Sequence, residues 1–252
     1  MLFFGCSFTF GEGLQDDQTL PYQVGLRSGG HYRTLNFGFH GYGPHQMLAE
    51  IEQGIVRRVV DCQPAYAIYQ AIPHHVARVA GKVTFMRHAP RYQMGPDGTV
   101  RLAGHFDDDG PKTESRFGFE VRWQLRKSAI YRMLQNIESR VSEDDVQLTL
   151  AVVGKSRDLL AAEYPGIKFQ VILWESWKEE DALYRELQTG FRQMNIPVHL
   201  IEDILPGYTV DSTKYVLGTY DKHPNALANQ IIADYVLNKI GSTDAATVAS
   251  MK

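Results

Sequence analysis

The chain has 252 residues, of which 44% are hydrophobic and 22% are charged, and its formal net charge is −3. This composition is typical of a soluble globular protein of one or two domains. The negative net charge argues against nucleic-acid binding, since proteins that bind nucleic acids usually carry a net positive charge. Only two cysteines occur, Cys6 and Cys62, so we expect free thiols and neither a disulfide framework nor a zinc site.

Neither a targeting signal nor a membrane-spanning segment is recognisable in the sequence. No apolar run approaches the ~20 residues of a membrane-spanning helix, and no signal peptide is recognisable. Because the first predicted strand begins at residue 2, a targeting segment could have been removed. The sequence therefore predicts no membrane span, and it leaves the compartment and the oligomeric state open.

Short β-rich runs alternate with stretches of helical periodicity along most of the chain. The β-rich runs predict five strands, over residues 2–6, 32–39, 65–72, 168–174 and 198–204. Helices are predicted over residues 20–30, 44–60, 142–166, about 178–193 and 224–241. This alternation predicts a parallel sheet with helices on both faces.

Residues 76–133 interrupt the alternation and carry a distinct charge. They read as short strands around a turn at Pro96-Asp97-Gly98, with eight Arg and three Lys against four Asp and two Glu. We predict a single domain over residues 1–241, with an insertion at about 76–133 over the strand ends. The insertion is either a solvated excursion or a lid that selects substrate. Residues 242–252, small and polar, are predicted to form a flexible tail.

Ser7, Asp221 and His223 are the candidate reactive residues. Ser7 follows the first strand, at the edge where parallel sheets bind ligands. Asp221 and His223 are two residues apart, so in an extended segment their side chains face the same side. The Asp221 carboxylate could then accept a hydrogen bond from Nδ1 of His223 and leave Nε2 as a base. The Gly-x-Ser-x-Gly elbow of α/β-hydrolases is not matched, because Thr9 replaces its second Gly.

Three segments of the chain resemble conserved blocks of the SGNH (GDSL-type) hydrolase superfamily. They are "GCSFTFGEG" (5–13), "NFGFHGYG" (36–43) and "DKHPN" (221–225), and the resemblance extends from residue 2 to about 240, apart from 76–133. It implies Ser7 as nucleophile, His223 as base, Asp221 as its partner, and the amides of Ser7 and Gly41 as oxyanion donors. No cofactor or metal is implied. Together with the alternation it predicts a three-layer α/β/α sandwich with a flavodoxin-like, five-stranded parallel sheet.

Two positions depart from the pattern of that superfamily. Cys6 stands where an Asp usually precedes the nucleophile, and we interpret it as a small core residue at the strand end. The Gly-x-Asn-Asp block is missing, since the chain reads "YQAIPHHVAR" (69–78) with Ile72 near the Asn position. Gln70, His74 or His75 could replace the lost oxyanion donor.

The function predicted from these residues is hydrolysis of a small-molecule or carbohydrate ester through an acyl-enzyme on Ser7. One alternative is an acyltransferase that passes the acyl group to a carbohydrate hydroxyl at the same site. The other is a catalytically weak binding module, which the missing Asn favours. The histidines at 74, 75, 88 and 105 and the acidic run at 107–109 do not predict a metal site, since neither matches a ligand spacing.

Overall fold

A parallel sheet forms the centre of the molecule. The computed structural model describes residues 1–86, 88–108, 141–175 and 181–241. The sheet strands are β1 (Leu2–Phe4), β2 (Leu35–Asn36), β3 (Tyr66–Ala71), β6 (Lys168–Leu173) and β7 (Val198–Leu200). All pairings in this sheet are parallel, and the spatial order is β2-β1-β3-β6-β7. This is the flavodoxin-like order, so the predicted fold class is confirmed.

Helices connect the strands. They are α1 (Ser7–Phe10), α2 (Leu20–Arg27), α3 (Pro44–Glu52), α4 (Ile55–Val59), α5 (His75–Val79), α6 (Glu143–Glu163), α7 (Asp181–Gln193), α8 (Ile201–Ile204) and α9 (Ala226–Tyr235). A π-helical turn, Val236–Ile240, continues α9, and 3₁₀ turns cover Asp16–Gln18, Thr84–Met86 and Thr213–Tyr215. Within the described ranges, no helix is long and apolar enough to cross a membrane.

The two faces of the sheet each bury one hydrophobic core. Side chains alternate along a strand, so Phe4 and Tyr69 face α3, α4, α6 and α7, whereas Phe3 and Ile68 face α2, α8 and α9. Nearly all of these strand side chains are fully buried. The sheet is therefore the middle layer of three, as predicted.

An antiparallel hairpin follows α5, where the insertion was predicted. Its strands are β4 (Pro90–Met94) and β5 (Val100–His105), joined by the predicted turn. Tyr92 and Val100 are buried in a small third cluster with residues from α3, α5 and α6. The hairpin thus packs on helices. Residues 109–133 of the insertion and the tail 242–252 lie outside the described residues.

Several predicted boundaries are wrong, each for a local reason. The predicted helix over 44–60 is two helices, α3 and α4, because the chain turns at Gln53-Gly54. The predicted strand over 198–204 ends at Leu200, and residues 201–204 form a helical turn. Ile201 and Ile204 both bury in the core beneath α9, which a spacing of three allows in a helix but not in a strand.

Two other elements, the second strand and the last helix, are shorter than predicted. The strand predicted over 32–39 pairs only at Leu35–Asn36. The last helix does not open at Pro224, which instead bridges to Val216. Asn225 caps this helix, because its side-chain oxygen accepts a hydrogen bond from the amide of Ala228.

Candidate active site

Ser7 lies at the start of α1, just past the carboxyl end of β1. Ser7 is 5% exposed, while Cys6 before it is fully buried. The carbonyl of Cys6 accepts hydrogen bonds from the amides of Thr9 and Phe10, which closes the turn around Ser7. No hydrogen bond within the described ranges uses the amide of Ser7, as is usual for the first residue of a helix. Cys6 therefore packs in the core, as predicted, and Ser7 presents its hydroxyl and its amide at the strand end.

The loop that carries Asp221 and His223 is fixed by hydrogen bonds at both ends. The amide of Leu217 donates to the carbonyl of His223 at 2.9 Å, and the amide of Gly218 donates to that of Asp221 at 3.1 Å. Asn225 ties the loop to α9, because its side-chain amide also donates to the carbonyls of Lys214 and Val216. The "HPN" sequence thus anchors the histidine rather than serving only as a helix start.

A continuous chain of hydrogen bonds joins the three candidate residues. Nε2 of His223 lies 2.8 Å from Oγ of Ser7, and Nδ1 lies 2.6 Å from Oδ1 of Asp221. The same carboxylate oxygen accepts the backbone N–H of His223 at 3.0 Å. A carboxylate only accepts, so Nδ1 carries the proton and Nε2 accepts from the Ser7 hydroxyl. The N–H of His223 and then its ring hold the pKa of Asp221 below its usual range.

Aromatic residues support the imidazole from one side. The ring of Phe8 contacts that of His223 edge-on at 5.3 Å and that of Trp174 at 5.1 Å. Trp174 donates from Nε1 to Oε1 of Gln70 at 2.9 Å, and Gln70 donates from Nε2 to Oγ1 of Thr9 at 3.0 Å. These contacts run from His223 back to the turn that holds Ser7.

The candidate replacements for the missing Asn occupy different environments. Gln70 has no exposed surface, and its amide is bonded to Thr9 and Trp174 inside the core. His75 is also buried, with Nδ1 2.6 Å from the hydroxyl of Tyr69, and burial holds its pKa well below its usual range. His74 is partly buried at the start of α5. The oxyanion role of Gln70 or His74 remains a prediction.

Gly41 lies in the loop between β2 and α3, which runs beside the end of β1. The amide of Phe37 donates to the carbonyl of Phe3 at 2.8 Å, and that of Phe39 donates to Gly5 at 3.4 Å. In the described part of the chain, no hydrogen bond uses the amide of Gly41. The loop thus follows the segment that leads to Ser7 and leaves a backbone donor uncommitted.

Sequence patterns did not indicate two further residues near the site, Glu12 and His40. Oε2 of Glu12 lies 3.7 Å from Nε2 of His223 and also contacts Nδ1 of His40. Glu12 is 28 positions from His40 and stands between two glycines. A contact of this kind depends on tertiary folding, and only the proximity of Glu12 to Ser7 in the sequence hinted at it.

Comparisons with known proteins agree with this architecture. No family model matches the sequence, and no curated protein matches it. A solved structure from Veillonella parvula, described as a member of the lipolytic protein G-D-S-L family, superposes with a TM-score of 0.50 at 14% identity. It covers 94% of this chain and 96% of its own. A variant of an acetyl-xylooligosaccharide esterase from Geobacillus superposes with a TM-score of 0.50 at 15% identity, covering 95% and 93%. The resemblance seen in the sequence is thus confirmed at the level of the fold.

Proposed function

We propose that the protein is a serine ester hydrolase that works through an acyl-enzyme on Ser7. The observation that carries this proposal is the hydrogen-bonded chain from Ser7 through His223 to Asp221. Such a chain provides a nucleophile, a base within hydrogen-bond reach of it, and a third group that orients the base. The superposition on an acetyl-xylooligosaccharide esterase is consistent with an ester as substrate.

Acylation begins with the Ser7 hydroxyl. Its proton passes to Nε2 of His223 as Oγ attacks the ester carbonyl, and the carbonyl electrons move to the oxygen. The Asp221 carboxylate stabilises the resulting imidazolium through the 2.6 Å hydrogen bond at Nδ1. Collapse of the tetrahedral intermediate expels the alcohol, which takes the proton from His223 and leaves the acyl group on Ser7.

Deacylation repeats these steps with water as the nucleophile. The water gives a proton to Nε2 of His223 and attacks the acyl carbon. When the second intermediate collapses, Oγ of Ser7 leaves and recovers that proton, and the carboxylic acid is released. One fixed imidazole therefore serves as base and acid in both halves of the reaction.

We assign the oxyanion to the amides of Ser7 and Gly41. Both amides are free of hydrogen bonds among the described residues, and both lie in segments adjoining the end of β1. Ile72 offers no donor at the position of the expected Asn. Because removal of one oxyanion donor typically costs about 10²–10³ in rate, we expect slower turnover than in enzymes that have the Asn.

A fluorophosphonate probe tests the proposal, because it labels only an activated serine. We expect the wild-type protein to be labelled at Ser7 and to hydrolyse p-nitrophenyl acetate. Labelling should disappear in Ser7→Ala and persist in Cys6→Ala, whose side chain is buried. A folded wild-type protein that is neither labelled nor active would refute catalysis and support the binding module instead.

A further inference from the structure

Glu12 is held beside His223 by a turn with a glycine on either side of it. The flanking Gly11 and Gly13 have φ angles of 94° and 79°, in the left-handed region that favours glycine. A Cβ on Gly11 would lie 2.3 Å from Cγ2 of Thr19, and one on Gly13 would lie 2.4 Å from Cδ1 of Leu217. The amide of Glu12 also donates to the carbonyl of Ser7 at 3.0 Å. The backbone of Glu12 is thus tied directly to the nucleophile.

The carboxylate of Glu12 is oriented by His40. Nδ1 of His40 contacts Oε2 of Glu12, and since a carboxylate only accepts, this nitrogen donates. The same oxygen lies 3.7 Å from Nε2 of His223. That distance exceeds a hydrogen bond, and both atoms are acceptors while His223 is neutral. Two acceptors at this separation are close enough for one oxygen between them to donate to both.

We propose that Glu12 positions the hydrolytic water of deacylation, an inference that rests on the proposed ester hydrolase function. In the acyl-enzyme, Oγ of Ser7 is esterified and no longer donates to Nε2 of His223. A water can then donate one hydrogen to Nε2 and the other to Oε2 of Glu12. The first proton moves to His223 as the water oxygen attacks the acyl carbon, and the second stays on the attacking oxygen.

This arrangement discriminates between water and an alcohol. An alcohol has a single hydroxyl hydrogen, which general-base catalysis commits to Nε2 of His223. Its carbon substituent would then face the Glu12 carboxylate and displace solvent from a charge, which is unfavourable. Glu12 is thus a specificity-determining residue that favours hydrolysis over acyl transfer.

The test measures how the acyl-enzyme divides between water and methanol. Wild type, Glu12→Leu, Glu12→Gln and Asp17→Leu are incubated with p-nitrophenyl acetate and increasing methanol. Acetate and methyl acetate are quantified by NMR, and the p-nitrophenol burst reports acylation separately. Asp17→Leu is the matched control, since it removes an exposed carboxylate from the same amino-terminal segment. Thermal melting establishes that each variant is folded.

We expect Glu12→Leu to raise the ratio of methyl acetate to acetate about ten- to a hundredfold, the contribution of one hydrogen bond to a charged group. The burst should also slow, because a carboxylate 3.7 Å from Nε2 stabilises the imidazolium formed in acylation. That effect is shared by attack of water and of methanol and cancels in the ratio. Asp17→Leu should behave as wild type. Glu12→Gln retains an acceptor and should fall between the two; it also serves as the test if Glu12→Leu does not fold. An unchanged ratio in a folded, active Glu12 variant overturns this inference alone. No turnover by the wild type overturns the proposed function, and this inference with it.

Discussion

Oγ of Ser7 and Nε2 of His223 lie 2.8 Å apart although 216 positions separate them in the chain. The contact joins the turn after β1 to the loop before α9, and each is held by its own local hydrogen bonds. The Cys6 carbonyl closes the first turn, and the Asn225 side chain closes the second. Local hydrogen bonds therefore position Ser7 and His223 separately, and the folding of the sheet brings their two segments together.

The first prediction separates the two adjacent candidate nucleophiles. Ser7→Ala should lower kcat/KM for p-nitrophenyl acetate by at least about 10³. Among the described residues, no other hydroxyl is hydrogen-bonded to His223 and could replace the nucleophile. Cys6→Ala should keep most of the activity and lose some stability, since the thiol fills a fully buried position. Steady-state kinetics and thermal melting of both variants provide the measurement. Activity retained by Ser7→Ala but lost by Cys6→Ala would reverse the assignment.

The second prediction concerns the orientation of His223. Asp221→Asn should reduce kcat/KM about ten- to a hundredfold, because it removes a charged acceptor from Nδ1. Asp211→Asn is a matched control, since Asp211 makes the same type of turn, accepting from the amide and hydroxyl of Thr213 at 2.9 and 2.5 Å. Equal losses in the two variants would show that the effect is general to such turns and does not come from His223.

The sequence predicted the features that depend on local patterns. Alternating strands and helices sufficed for the parallel sheet, and the spacing of Asp221 and His223 sufficed for their hydrogen bond. It misassigned residues 201–204 because an apolar run does not reveal which core each side chain enters. The roles of Glu12 and His40 could not be predicted, since the contact of His40 with Glu12 and that of Glu12 with His223 arise only from tertiary folding.

The third prediction tests whether Gln70 is structural or contributes to the oxyanion site. Gln70→Leu removes the acceptor of the Trp174 indole N–H and should lower the free energy of unfolding by about 1–3 kcal/mol, the cost of an unpaired buried donor. Turnover by the folded fraction should fall less than tenfold. Urea denaturation and kinetics on the same preparations give both quantities. A drop of about 10²–10³ in kcat with little loss of stability would assign Gln70 to the oxyanion.

The fourth prediction is a pH dependence of stability caused by a buried histidine. His45 is fully buried, and neither ring nitrogen has a hydrogen-bond partner among the described residues. Burial, and then the charge of Arg78, lower its pKa from 6.5 to about 3. Below pH 6.5, His45 is therefore protonated in the unfolded chain, whereas in the folded chain it stays neutral until about pH 3. His45 costs no stability in this way above pH 6.5, and the loss grows as the pH falls toward 3, by up to about 1.4 kcal/mol per pH unit.

His45→Leu should remove this dependence and raise stability, because an apolar side chain replaces an unpartnered polar one. We expect the difference in unfolding free energy between pH 7 and pH 5 to shrink by about 2 kcal/mol. Urea titrations at the two pH values measure it, with His31→Leu at an exposed position as the control. An equal change in the pH dependence of stability in both variants would show that the burial of His45 is not its cause.

The last prediction concerns the β4–β5 hairpin, which the sequence placed in an insertion. Tyr92 is buried against α3 and α6, and its hydroxyl donates to Oε2 of Glu52 at 2.6 Å. Lys155 reaches from α6 to Oε1 of Glu52 at 2.6 Å and to the carbonyl of Val100 at 2.8 Å. These contacts make the hairpin part of the packed structure.

Tyr92→Ala should therefore cost about 3–5 kcal/mol, as for other large aromatic truncations in a core, whereas Tyr92→Phe should cost about 0.5–1.5 kcal/mol for the lost hydrogen bond. Replacing residues 90–105 with a short Gly/Ser linker should destabilise the protein at least as much as Tyr92→Ala, because it uncovers Leu48, Val79 and Val152. The folded fraction should keep turning over small esters, since Ser7, Asp221 and His223 lie elsewhere. Denaturant titrations and esterase assays on the three variants decide the matter. Wild-type stability after the deletion would show that the hairpin is an independent excursion.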